Sequence, residues 1–482
     1  MTATYRVQID WDDDGDFADT GENVTGRTLD RSSIIVEYGR DQARALSPPS
    51  PGRAAFELDN RSFDYSPENS SSPLAGLILP ARPVLIDAEL SSTTYALFRG
   101  SLDDFDLMPG LPERSVIVSC LDGLAKLTGS KIATSLYHGI QTGKAIGLIL
   151  DAVGWPDDKR DLDEGASTIR WWWEEDADAW DALLSVIQAE GPPAFVYLGS
   201  DGEITFRDRH HRLTESESLS SQATFSASGA EPLFSAPLVY DHGWRDVINS
   251  VTFVVEDRNP SLERANVWTD DHTYSIADDE TVEIAAQTNE PFTDAALPTY
   301  TLLSGTVSVD MTRLSGQSTI IRITASGGPA VITDLTFRAR PVVVERRVRI
   351  HMEDVASVTK YGERTYPTNP KWLNINDALA VAQAIVAQRS ERLPIISMRL
   401  LSGNDTRLTQ QLSRDLSDRV TIVESDLGLN DDFFIERIRH RINEAGKLHE
   451  TVFGCEKVQT QIGNVFRFDV AGHGFDDGVF AT

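Results

Sequence analysis

The sequence predicts a multidomain, mainly β chain with α+β insertions. Three observations predict it. Short runs of alternating apolar residues, broken by Pro, Gly and Asp turns, fill both ends of the chain. A unit of two amphipathic helices and a tight hairpin lies between them. The length of 482 residues exceeds what one hydrophobic core organises.

Residues 1–128 read as an N-terminal β domain. Tyr5, Val7 and Ile9 share one side of a strand, Phe56 and Leu58 oppose Ala55 in the next clear alternation, and Val116, Val118 and Cys120 share a face later on. The turns DDDGD, SPPSPG, YSPENSSSP and MPGLP punctuate these runs, and LDGLAKL reads as a short closing helix. Residues 129–231 read as an α+β domain. Ile146, Ile149, Leu150 and Val153 lie at helical spacing, with Thr142 as N-cap and Gly154 as stop. Trp180, Leu183, Leu184 and Ile187 form a second stripe, and AFVYLGSDGEITFRDR reads as a hairpin. The Ser- and Thr-rich stretch from Leu213 to Glu231 reads as a linker or a surface segment.

Residues 232–284 and 346–482 read as a second, discontinuous β unit, interrupted by a β-rich insert over 285–345. Val251, Phe253 and Val255 share one strand face in it. NDALAVAQAIVAQR predicts a helix capped by Asn376 that packs through Ala378, Val381, Ala382 and Ile385. The runs LPIISMRLL, DRVTIVE, DFFIERIRHRI, HETVFGCEKV and NVFRFDV follow as strands.

Charge narrows the function. Lys and Arg number 44 against 74 Asp and Glu, a formal net charge of -30, which repels phosphate backbones at long range. A dedicated nucleic-acid binder is expected to carry the opposite balance. No apolar run reaches the roughly 20 residues of a membrane-spanning helix. The start lacks the basic-then-apolar pattern of a secretory signal, so synthesis is expected to end in the cytoplasm. Cys120 and Cys455 supply no disulfide framework and read as buried free thiols.

The candidate sites are few. Asp10, Asp12, Asp14 and Asp16 alternate around Gly15 and admit two readings, a polar turn or a structural calcium site. In the twelve-residue calcium loop the last liganding position falls on Gly21, with Glu22 one residue late. Asp208, His210 and His211 could form an acid-base or metal cluster, but adjacent histidines at a strand end point apart, which favours salt links from Arg207, Arg209 and Arg212. In a strand Trp171 and Trp173 would share a face and Trp172 the other; such aromatics pack at interfaces or bind sugars. The serine-elbow, phosphate-loop and HExxH patterns are absent, so no catalytic, cofactor-binding or metal-ligating residue is assigned and no enzyme activity is expected.

DWDDDGDF, GRDQARALSPPSPGRAAFELDNRSFDYSPENSSSPLAG, LPARPVLIDA and YALFRGSLDDF, in that order, resemble the tail-tip (baseplate) hub and minor tail proteins of long-tailed bacteriophages of actinobacteria. Gly39, Arg40, Asp41, Gly52, Arg53, Asn60, Tyr65, Pro67, Pro73, Gly76 and Gly100 carry the pattern. IQTGKAIGLILDAVGWP, GEITFRDRHHR, YGERTYPTNPKWLNINDALAVAQAIV and FFIERIRHRI extend it.

The resemblance implies two hub-type β-barrel domains, a mixed domain and a small β-sandwich, with the second barrel combining strands around Val247 to Glu256 with strands in Leu393 to Val470. It implies a structural virion protein of the siphovirus tail tip, assembled in the host cytoplasm as a homotrimer. The ring would join a sixfold tail tube to a threefold tip and enclose the DNA channel without binding DNA specifically. Its expected partners are the distal tail protein ring, the tape-measure protein and tip fibre or spike proteins. No added enzyme domain is expected at the end of the chain. The competing expectations are a host-surface carbohydrate-binding or cell-wall-degrading tail protein, and a connector nearer the head.

Overall fold

Strand pairing organises most of the molecule. The computed structural model describes residues 3–40, 45–46, 49–110, 114–443 and 446–459. Asp41, the NVFRFDV segment and His473 lie outside the described residues.

The largest sheet has 12 strands. Its main path runs Thr4–Ile9, Pro83–Leu90, Thr93–Pro109, Arg114–Asp122, Pro49–Asp59, Ile34–Arg40, Leu429–Asn443, Leu448–Lys457, Ile395–Leu401 and Ser235–Asp241. The first and last described strands therefore share one sheet, joined where Val36 faces His440 in antiparallel register. Alternation predicts the first half well: Tyr5, Val7 and Ile9 are buried, as are Val116, Val118 and Cys120.

The strands assigned to two barrels are thus joined into one sheet, and this sheet does not close among the described residues. One edge shows why. Beyond Thr4–Ile9 there is no further strand among the described residues; a loop covers it instead, through Ile9 N to Glu22 O, Val24 N to Val7 O and Val7 N to Thr25 Oγ1. Two side cores lie along the sheet, one built on Ile9, Trp11, Phe56 and Ile86, the other on Phe225, Phe433, Ile435 and Phe453. Each such side chain contributes roughly 1.5–3 kcal/mol by leaving water.

The expected pairing of 247–256 with the C-terminal strands is corrected. Ser250–Pro260 pairs with Ala330–Glu353 in a separate six-stranded sheet, and Ser235–Asp241 is the strand that joins the C-terminal set. Complementary charges suit that register: Glu256 faces Arg347 and Asp257 faces Arg346. Ala330–Glu353 is a 24-residue strand. Its first half pairs with Ala265–Asp270, Tyr274–Ile276 and Thr299–Ser304, and Ile284, Ile321, Ile323, Ile332 and Leu335 fill the small core alongside. Its second half, with Ser250–Pro260, packs under the helix Ile375–Arg389 through Val251, Phe253, Val381 and Ile385.

The mixed unit contains helices Thr142–Ala152 and Ala179–Glu190 and the hairpin Phe195–Leu198 with Ile204–Arg207. Three details differ from the sequence reading. Thr142 is the first helical residue rather than the cap, because its hydroxyl donates to the buried Glu190 carboxylate at 2.6 Å. The cap of Ile375–Arg389 is Asn374, whose side chain accepts from Asn376 N at 3.2 Å. The supposed linker contains two short helices and the strand Thr224–Ser226, which pairs in parallel with Arg419–Glu424.

Candidate functional site

Where the mixed unit meets the large sheet, the structure buries an ionic network. Arg40 ends the strand Ile34–Arg40, Glu436 lies on the neighbouring Leu429–Asn443, and Arg212 reaches them from the short helix His211–Thr214. Arg40 Nε lies 3.0 Å from Glu436 Oε2, and Arg212 Nη2 lies 2.7 Å from Oε1. Arg212 also donates to Ser417 Oγ at 3.1 Å, and Arg40 donates to the carbonyls of Pro193 and Ala194. Their guanidinium groups lie over Phe434 and Phe195 respectively. Burial pulls the Arg40 guanidinium down to about 10, which leaves it charged at neutral pH.

A second pair lies behind it. Arg389, from the last turn of Ile375–Arg389, grips Glu456 through two bonds of 2.6 and 2.8 Å, and Ala45 N donates to the same carboxylate. Burial pushes Glu456 up, but Arg389 outweighs it and holds the carboxyl below its ordinary range. Such pairs fix register and orientation more than they add net stability. Here they hold three sections of chain in one arrangement.

His440 and His449 lie nine residues apart on successive strands. The structure brings them together. His440 Nδ1 lies 2.9 Å from His449 Nε2 and 3.1 Å from Thr451 Oγ1, and Tyr5 OH lies 2.8 Å from His449 Nδ1. Both rings are buried. Antiparallel pairing sets His440 opposite Thr451 and so places His449 on the adjoining position of the same face, a register invisible in either segment alone.

The acidic loop is assembled differently from its sequence pattern. Carboxylate atoms of Asp10, Asp12 and Glu22 lie within 4.8 Å of one another, and so do those of Asp12, Asp14 and Asp19. Asp16 belongs to neither group; it accepts from Ala18 N at 2.8 Å. The buried Asp10 accepts from Asp13 N at 2.6 Å and Gly15 N at 3.1 Å, and Glu22 accepts from Trp11 N and Asp19 N. Desolvation, then the charges of Asp14, Asp19 and Asp10, push the Asp12 carboxyl above its ordinary range. Asp10, Asp12 and Glu22 are oxygen donors of the kind calcium takes.

His210 and His211 do not converge on one ligand point. His211 Nδ1 lies 3.1 Å from Asp163 Oδ2, Arg207 pairs with Asp161 at 2.5 Å, and Arg209 reaches Ser167 Oγ at 2.5 Å. The tryptophans differ from the strand expectation because Thr168–Trp172 ends at Trp172, which frees Trp173 to turn inward. Trp172 and Trp173 are both buried, and Trp171 alone is partly open, beside His138. Trp173 packs edge-on against Trp372 and donates from Nε1 to Gln317 at 3.0 Å. A Cβ on Gly316 would fall 2.7 Å from it, so glycine there admits the ring. Cys120 and Cys455 are free, buried thiols, pushed up by burial.

The described features are buried ion pairs, aromatic contacts between units and one acidic loop. No family model matches the sequence, and no curated protein matches it. Solved structures of similar architecture over most of the chain include two tail proteins. The 43 kDa tail protein of prophage MuSo2 from Shewanella oneidensis superposes with a TM-score of 0.51 at 11% identity, covering 94% of this chain and 98% of that one. The tail protein from Neisseria meningitidis MC58 gives 0.50 at 10% identity, covering 96% and 99%. The chain has the mainly β fold of these phage-type tail proteins.

Proposed function

We propose that this chain is a structural subunit of a phage tail, acting at the tail tip as a hub. The observation that carries the proposal is coverage: the fold shared with these two tail proteins extends over 94% or more of this chain and 98% or more of each neighbour. In this reading the protein works by assembly, without catalysis. Three copies form a ring under the sixfold tube, contact the distal tail ring, tape-measure protein and tip fibres, and enclose the DNA path. The net charge of -30 suits a channel that DNA must leave without sticking. The loop of Asp10, Asp12 and Glu22 offers oxygen donors that a structural calcium ion would take, the alternative to a plain polar turn. Sugar recognition by a tryptophan platform is disfavoured, because Trp172 and Trp173 are buried. Cryo-electron microscopy of the assembled particle tests the hub. A threefold ring of this chain around the central channel is expected; placement on a peripheral fibre would overturn it.

A further inference from the structure

A crevice separates the strand Thr93–Pro109 from the mixed unit, and it opens into a cavity of about 430 Å³. That is the size of small-molecule sites, which favour such junctions between units. Its lining inverts the charge of the molecule. Arg99, Lys126 and Lys159 line it, and no Asp or Glu does among the described residues, in a chain with 30 excess negative charges. None of these three cations pairs with a carboxylate among the described residues. The rest of the wall is largely apolar, with Trp155, Leu127 and Pro83 contributing.

Two glycines shape the cavity. A Cβ on Gly123 would fall 2.7 Å from Cη2 of Trp155, so the indole rests against bare backbone. The ring is held there by its Nε1 donating to Lys159 O at 3.1 Å and by its backbone N donating to Leu150 O at 2.9 Å. Gly202, at φ +87°, forms the hairpin tip, and a Cβ on it would fall 2.7 Å from Arg99 Cδ. The tip therefore closes on the Arg99 stem. An aromatic wall and a cation are thus positioned before any ligand arrives, which lowers the ordering cost of binding.

We infer that this cavity binds a phosphate ester carried on a small ring. Three cations around one cavity complement a dianion better than a single carboxylate, and lysine ammonium groups serve phosphate as point charges. The Trp155 face supplies the surface on which a ring stacks. The cavity volume takes one such unit, and the field of the whole protein repels a nucleic-acid polymer. The inference does not depend on the tail reading.

Titration calorimetry of the full chain tests it with phenyl phosphate, inorganic phosphate and phenol. Phenyl phosphate is expected to bind about tenfold or more tighter than either, a gap of about 1.4 kcal/mol. The double variant Lys126→Gln/Lys159→Gln and, separately, Arg99→Gln should each weaken phenyl phosphate about tenfold with an unchanged thermal midpoint. Trp155→Leu should narrow the preference for phenyl phosphate over inorganic phosphate. Equal binding of phenol or of inorganic phosphate to the wild-type chain overturns the inference, as does full affinity in both folded cation variants.

Discussion

The partners of His440 and His449 are Tyr5, Thr451 and each other, none of them a carboxylate. Burial lowers His440 from 6.5 to about 4, and burial followed by the neighbouring His440 lowers His449 well below its ordinary value. Between pH 6.5 and 4 the unfolded chain binds protons that the native protein refuses. Stability is therefore complete above that window and falls as pH drops through it, by about 3 kcal/mol for His440 at roughly 1.4 kcal/mol per unit. Urea midpoints measured from pH 7 to 4.5 should show this decline, and His440→Gln should reduce it, leaving the part that His449 contributes.

At the ionic network, Glu436→Gln strands Arg40 and Arg212 without their counter-charge. The expected cost is about 3–5 kcal/mol in equilibrium unfolding. At the acidic loop, calcium should raise the thermal midpoint of the wild-type chain relative to chelator. Asp12→Asn should raise the midpoint in chelator and abolish the calcium response; no calcium response in the wild type would remove the ion from the proposal. The sequence showed Asp10 and Asp12 and put Glu22 one residue late for the loop pattern; Glu22 joins them because the chain turns back to pair Ile9 N with Glu22 O.

Elements with a strong local pattern were legible. The helix Ile375–Arg389 buries Ala378, Val381, Ala382 and Ile385, the face its periodicity predicts, and the hairpin Phe195–Leu198 with Ile204–Arg207 forms around the SDG turn. Elements that exist only through distant partners were not. Arg160–Leu162 and Thr224–Ser226 are three-residue strands paired in parallel, and nothing in RDL or TFS announces them. Trp173 shows the same limit, since its burial comes from Trp372, Gln317 and Gly316 far along the chain. Trp173→Ala should cost about 3–5 kcal/mol and should loosen the mixed unit from the inserted strands. Hydrogen exchange would report this as faster exchange on both sides of the lost contact, whereas a purely local effect would leave 315–320 unchanged.

At the scale of the molecule, the mainly β character and the order of units follow from alternation and turn spacing. The connection of those units does not. Sheet edges carry no sequence mark for which strand will cover them, so two groups of strands that read as separate barrels become one open sheet at the Ile34–Arg40 and Leu429–Asn443 junction. That junction also governs when the protein can be made. Val36 waits for His440, about 400 positions later, which at roughly 5–20 residues per second means some 20 to 80 seconds of synthesis. During that interval the N-terminal strands carry an uncovered edge in a crowded cell, and every ribosome working on the same message holds a copy of it. The hazard ends only as the last strands emerge, so the yield of usable protein is decided late in translation.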